Sequence, residues 1–388
     1  TFARLRVAGD WTGSGSFVLP SGWVELDGAG ATTIGGPAPT FGDLRIAGGT
    51  RTLVAPTATT RDLEVEINAT LDVAAQTLSV AGSLDSSPSN AVIQGTAPIQ
   101  LTGTGDLRTH TEIPAVHVTG GTRTGWTSTL AALELVSGEL HVRDNATVTV
   151  TGDATFTGGT LSFDTTIGNW DRLDVEGAVI QTGTVIGSTS DQTHLYCAGD
   201  WLADAPFELP SGWVHLDGGD SDIGGADPRF RRLWLQTGVN TLLTDVDIDG
   251  TLRTTTGTSV GAGWFELSQT LEPVQALNDR LERVRVVGPG TAEFVTSLVG
   301  FLEVTGGTLH IRDAGDVGGI PCGVVVHTNA VRLRPRTFAG VAPHPRSDRA
   351  LLLLHHLFHE RRVVVGRLAQ AHQHHVAGTR DLRRRSVG

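Results

Sequence analysis

Two sets of residues in this sequence stand at spacings that could do chemistry. One is the run Asp245-Val246-Asp247-Ile248-Asp249-Gly250, whose alternate carboxylates open like a calcium loop. Ca2+ is the cation such a loop would hold, but an EF-hand needs Glu six residues beyond the glycine, and Thr256 stands there. Val246 and Ile248 alternate with the acids as in a strand, so the competing reading is a solvated acidic face. Asp217-Gly218-Gly219-Asp220-Ser221-Asp222 also resembles the opening of a calcium loop and is read as a turn, with extracellular Ca2+ as the alternative. Asp245, Asp247 and Asp249 with Arg253 also form the one grouping that has the carboxylate-and-arginine make-up of a polysaccharide-cleaving site. Gly250 interrupts the strand before Arg253, and a single Tyr in the chain leaves little aromatic lining for a cleft. No enzyme activity is expected.

The other set is built on tryptophan. In Trp23-Val24-Glu25-Leu26-Asp27, strand alternation turns Val24 and Leu26 inward and leaves Trp23, Glu25 and Asp27 on the outer face. The same pattern returns as Trp213, His215 and Asp217. An exposed indole can stack on a sugar ring while adjacent carboxylates accept hydroxyl hydrogen bonds. The alternative is that each indole lies flat against a neighbouring coil. Trp11 and Trp201, which follow Gly-Asp in the repeat, read as structural.

Other chemistry finds less footing. His355-His356-Leu357-Phe358-His359-Glu360 contains neither HExxH nor HxxEH. His372, His374 and His375 form a tract that binds metal only adventitiously. Arg383-Arg384-Arg385 has no fold behind it to make a nucleic-acid patch. The two cysteines, Cys197 and Cys322, exclude a disulfide framework and any CxxC metal motif.

These residues are positioned by a repeat. Leu19-Pro20-Ser21-Gly22-Trp23-Val24-Glu25-Leu26-Asp27-Gly28 recurs as Leu209 to Gly218, with His215 in place of Glu25 as the one change. Ala8-Gly9-Asp10-Trp11 matches Ala198-Gly199-Asp200-Trp201, and Ile34-Gly35-Gly36 matches Ile223-Gly224-Gly225. Leu133 to Asp144 matches Leu302 to Asp313, a smaller offset than at the opening motif, so the second copy has lost the length of one coil. Within each copy, short alternating runs such as Leu63-Glu64-Val65 end in glycine turns such as Gly48-Gly49-Thr50. The spacing from Gly138 to Gly159 suits one coil of a stack in which each strand pairs with its copy in the next coil. The expected fold is all-β: a β-solenoid, right-handed and parallel. Its expected parts are a first module over 1–190, a shortened second module over 191–319 and an irregular tail over 320–388.

Gly9-Asp10-Trp11-Thr12, Gly22 to Gly28, Thr33-Ile34-Gly35-Gly36, Phe41 to Ile46, Ala69 to Val73 and Trp170 to Gly177 resemble the repeats of secreted bacterial β-helix proteins, adhesin-like or autotransporter-passenger-like. The resemblance covers residues 1–319 and implies an exported chain, extracellular or at the cell surface. It carries over no catalytic residue and names no ligand. It implies an extracellular structural or adhesive module, with surface glycans or other cell-surface proteins as partners. The alternative is a carbohydrate-binding or polysaccharide-cleaving β-helix protein.

Composition agrees with short strands and turns. Gly accounts for 50 of 388 residues, the charged fraction is 18%, and all 29 basic residues are Arg. Thr1 opens in mid-pattern, so a fragment or a processed product is expected. No apolar run is long enough for membrane insertion as a helix. The net charge of −12 is unevenly spread, because residues 320–388 hold 12 Arg against Asp348, Glu360 and Asp381. Residues 1–319 therefore carry −21, which repels nucleic acid. An Arg/His-rich text like the tail is what GC-rich DNA yields when read off-frame, so 320–388 is expected to be disordered or off-frame.

Overall fold

A computed structural model describes residues 3–13, 16–17, 22–164, 170–183, 185–186, 193–205, 207–208, 212–226, 228–268, 274–276, 280–288, 291–295, 298–306, 308–312, 324–326 and 331–333. The contacts divide the chain into two compact units, Thr1–Arg312 with Pro321–Arg334, and Asp313–Ile320 with Pro335–Gly388. The second unit lies outside the described residues, as do the His and Arg tracts of the tail and the junction near Ser188–Asp191.

The first unit is a β-solenoid. Its strands are short, every pairing between them is parallel, and no helix occurs among the described residues. Each turn contributes three strands, one to each of three faces, as in Asp43–Ile46, Thr50–Leu53 and Thr57–Thr59. The next strand, Leu63–Val65, returns to the first face and pairs in register with the one a turn earlier, Leu44 against Leu63. Two-residue alternation then fixes which side chains meet the axis. On the first face Leu5, Val24, Leu44, Leu63, Leu84 and Leu107 stand in one row. Val24 through Leu107 in that row are at most 1% exposed. Rows of this kind fill the interior, and burying each aliphatic side chain stabilises the stack by about 1.5–3 kcal/mol.

Inward polar residues sit at corners. Arg51, 0% exposed, donates to the carbonyls of Gly28 and Gly30 and to the hydroxyl of Thr32. Arg123, also 0% exposed, donates to the carbonyls of Val80 and Gly82 two turns back. Burial lowers the pKa of Arg123 to about 10, still high enough to keep the guanidinium charged at neutral pH.

The two sequence copies do not occupy the same face. Gly22–Leu26 belongs to the first face, whereas its copy Trp213–Leu216 pairs with His194–Cys197 and Arg229–Leu235 on the second. Val148, Leu173, Leu195, Val214, Leu233 and Leu252 make the inner row of that second face. The last four are the counterparts of Leu5, Val24, Leu44 and Leu63. The same advance by one face holds at the far end. Leu133–Leu135 lies on the third face, and its copy Leu302–Val304 lies on the first. The shortening of the second copy therefore removes a whole turn and leaves the rotation unchanged. Strands pair without interruption across the junction, Arg172–Val175 with His194–Cys197 and Val185–Ile186 with Phe207–Glu208. Pairing also continues past residue 319, where Val324–Val326 joins the first face and Val331–Leu333 the second.

Candidate functional site

The outer side of the second face, from Arg172 to Arg253, brings five rings together: His194, Tyr196, Trp213, His215 and Trp234. Register alone produces it. Arg172, His194 and Trp213 fall in one outward column; Asp174, Tyr196, His215, Trp234 and Arg253 fall in the next. Paired strands lie about 4.8 Å apart, close to the separation of stacked rings, so the column becomes a ladder. Tyr196 stacks on His215 with centroids 4.2 Å apart and planes 11° from parallel. His215 meets Trp234 at 5.2 Å, and Trp234 meets Trp213 edge-on at 5.8 Å. Guanidinium groups cover the outside. Arg172 lies 3.6 Å from the Tyr196 centroid, and Arg253 lies 4.6 Å from that of Trp213.

Inside this ladder His194 Nδ1 is 2.7 Å from His215 Nε2, and Gln236 Nε2 is 2.7 Å from His215 Nδ1. The Gln236 amide nitrogen, which faces His215, can only donate, so His215 Nδ1 accepts, and the His215 proton sits on Nε2 and is given to His194. Both rings are thus neutral. Burial holds His215 down at about 3, aided by His194 and Arg172, and burial with Arg172 also lowers His194.

The outward direction expected for Trp23, Glu25, Asp27, Trp213, His215 and Asp217 is observed, but outward does not mean exposed. Trp213 is 8% exposed and His215 is 1% exposed. Glu25, at 3%, is clamped by Arg4 at 3.1 Å and Arg6 at 2.9 Å. Trp23 is half-buried under Arg45, whose guanidinium lies 4.8 Å from the ring centroid. Asp27 stays half-buried within 3.7 Å of Arg6, and burial raises the Asp217 carboxyl. The physical reason is the stacking itself: the outward side chain of one turn is roofed by those of the turns on either side. Nor do the two tryptophans share a surface, since the copies are rotated by one face. Trp201 is fully buried and packs on Phe230 at 5.1 Å, as its counterpart Trp11 packs on Phe41 at 5.0 Å.

Asp245, Asp247 and Asp249 do alternate with buried Val246 and Ile248 on the first face. Their carboxylates are held by other groups. Trp264 N–H donates to Asp245, Arg229 lies 3.4 Å from Asp247 and 3.0 Å from Asp249, and Arg285 lies 3.5 Å from Asp245. Arg285 also binds Glu266 at 2.6 Å and Glu303 at 2.7 Å. Arg253 belongs to the next face, so the four residues do not line one groove. Among the described residues no group of three His, Cys, Asp or Glu is arranged to hold a metal ion. In the second acidic stretch the Asp220 carboxylate accepts from Val239 N–H, and Ser221 and Asp222 open the strand Ser221–Gly224 and do not belong to a turn.

One Ser/His/Glu cluster was not legible beforehand. Ser162 donates to Glu139, and His141 Nδ1 is 2.7 Å from the same hydroxyl. The serine stands between acid and imidazole, so its proton goes to the carboxylate and no acid–His–Ser relay forms. Cys197 fills the place of Val7 and is buried, which pushes its thiol up to about 12. The ladder residues His194, Tyr196 and Trp234, and Trp170 stacked on His194, were not read as site residues. The signal lay in the differences between copies. Arg6, Glu25, Arg45 and Glu64, a charge-alternating column on the first face, become Tyr196, His215, Trp234 and Arg253 on the second.

Compared with known proteins, the chain matches no family profile, no curated protein and no solved structure.

Proposed function

We propose that this chain is an extracellular structural or adhesive module of a bacterial surface or secreted protein. One observation carries the reading: its outer chemistry is distributed along the stack in continuous columns, with the polar groups of each turn engaged by the next. Arg45 binds Glu64 and Glu66, Arg229 binds Asp247 and Asp249, and Arg285 binds three acids in succession. Such a surface suits load-bearing or extended contact better than turnover of a bound molecule. The acidic body, −21 over residues 1–319, favours a partner of opposite charge or a neutral one. The carbohydrate alternative has less support, because Trp213 is roofed and Trp23 lies on another face.

Adhesion is tested with beads coated in the purified chain, presented to cultured cells and to a glycan array, alongside a panel of polysaccharides assayed for new reducing ends. Saturable attachment without new reducing ends is the expected result. Release of reducing ends would overturn the proposal, and attachment no better than uncoated beads would remove its adhesive part and leave only the structural one.

A further inference from the structure

The chain roofs its outward indoles with its own arginines. Arg45 lies 4.8 Å from the centroid of Trp23, and Arg108 lies 4.1 Å from that of Trp126. Arg253 serves both Trp213 and Trp234, at 4.6 and 5.9 Å, and Arg285 covers Trp264 at 4.6 Å. These are cation–π distances, favourable because the ring face carries the negative part of the quadrupole. Trp170 departs from the rule. It is 64% exposed, its ring lies on His194 at 5.2 Å and 12° from parallel, and among the described residues no guanidinium lies over its other face.

We propose that Trp170 is a docking point for an arginine side chain carried by a cationic polypeptide partner, which supplies the roof that this chain provides to its other outward indoles. Three features support that occupant. The base is anchored: the backbone N–H of Trp170 donates to Asn145 Oδ1 at 2.8 Å. Beside it the Asp171 carboxylate, 1% exposed, accepts from the N–H groups of Asn145 and Asp164 at 2.9 and 3.0 Å. The imidazole beneath the indole is neutral, and the nearby cations are already engaged, Arg172 with Asp174 at 2.7 Å and Arg143 with Asp144 at 2.8 Å. Finally, the excess of acid over residues 1–319 steers a cationic segment toward this body. The inference rests on this geometry and on the charge balance of the body, and does not depend on the module being at a cell surface.

The experiment measures binding of octa-arginine, octa-lysine and a neutral cello-oligosaccharide to the full chain and to its Trp170→Ala and Trp170→Phe variants. Circular dichroism checks that the variants fold. Octa-arginine is expected to bind the wild type and to lose about two- to fivefold in affinity with Trp170→Ala, with Trp170→Phe intermediate. Octa-lysine, drawn by net charge, should change less. Equal octa-arginine affinity for wild type and Trp170→Ala would overturn the proposal and leave only a diffuse acidic attraction. So would oligosaccharide binding that vanishes with Trp170→Ala while octa-arginine binding persists.

Discussion

His194 and His215, one turn apart on the second face, share a single proton across 2.7 Å, and Gln236 fixes which of them donates it. Their counterparts in the first copy, Arg4 and Glu25, form an ion pair at 3.1 Å instead. The same two positions of the repeat thus hold charge on one face and neutral stacked rings on the other. That difference makes the second face the acid-sensitive part of the molecule.

Both histidines have folded-state pKa values below the ordinary imidazole value of 6.5, His215 at about 3. The unfolded chain therefore binds more protons between those limits, and stability is full above pH 6.5 and falls as the pH drops toward 3. Each proton taken up on unfolding contributes up to about 1.4 kcal/mol per pH unit. Unfolding midpoints of wild type and His215→Gln, followed from pH 7 to pH 4, should fall more steeply for the wild type. Parallel slopes would show that the imidazole is not buried in its neutral form.

Gly225 has φ +114°, and a Cβ there would run into the carbonyl oxygen of Ala203 in the preceding turn. Gly30 has open space around the same position. Gly225→Ala should destabilise by more than about 1 kcal/mol, whereas Gly30→Ala should stay within about 0.5 kcal/mol of wild type. Denaturant titrations of the two variants decide it; equal midpoints would contradict the turn geometry.

Phe156 is 0% exposed within Ala154–Phe156, which pairs with Leu133–Leu135 on one side and Val179–Gln181 on the other. Phe156→Ala should cost about 3–5 kcal/mol through lost burial and the cavity left behind. In a one-dimensional stack the damage is local. Hydrogen exchange should quicken at 133–135 and 179–181 while Leu63–Val65 keeps its protection. Uniform loss of protection would point to a globally cooperative core.

Arg229 stands between Asp247 and Asp249, where a cation would otherwise sit. Millimolar Ca2+ is expected to leave the thermal midpoint of the wild type unchanged and to raise that of Arg229→Ala, in which the two carboxylates lose their arginine. A rise of several degrees in the wild type would assign the aspartates to calcium after all.

The sequence by itself determined the parallel stack and the inward rows. Alternation in Val24-Glu25-Leu26 or Leu63-Glu64-Val65 has only two possible phases, and burial of the aliphatic set selects one. Glycines such as Gly225 marked the corners for an equally local reason. What only the tertiary structure decided is lateral. Whether His215 meets Tyr196 or a solvent molecule depends on the length of each turn, because that length sets which outward side chains fall into one column. Turn length is not constant here: the turn that carries Arg123 onto Leu140 is much shorter than the one that carries Thr160 onto Ile186. No local pattern announces such lengths, so neither the one-face rotation between copies nor the roofing of Trp213 could be read in advance. Trp170 followed the same logic in reverse: the turn above it brings His194, and not an arginine, against its ring.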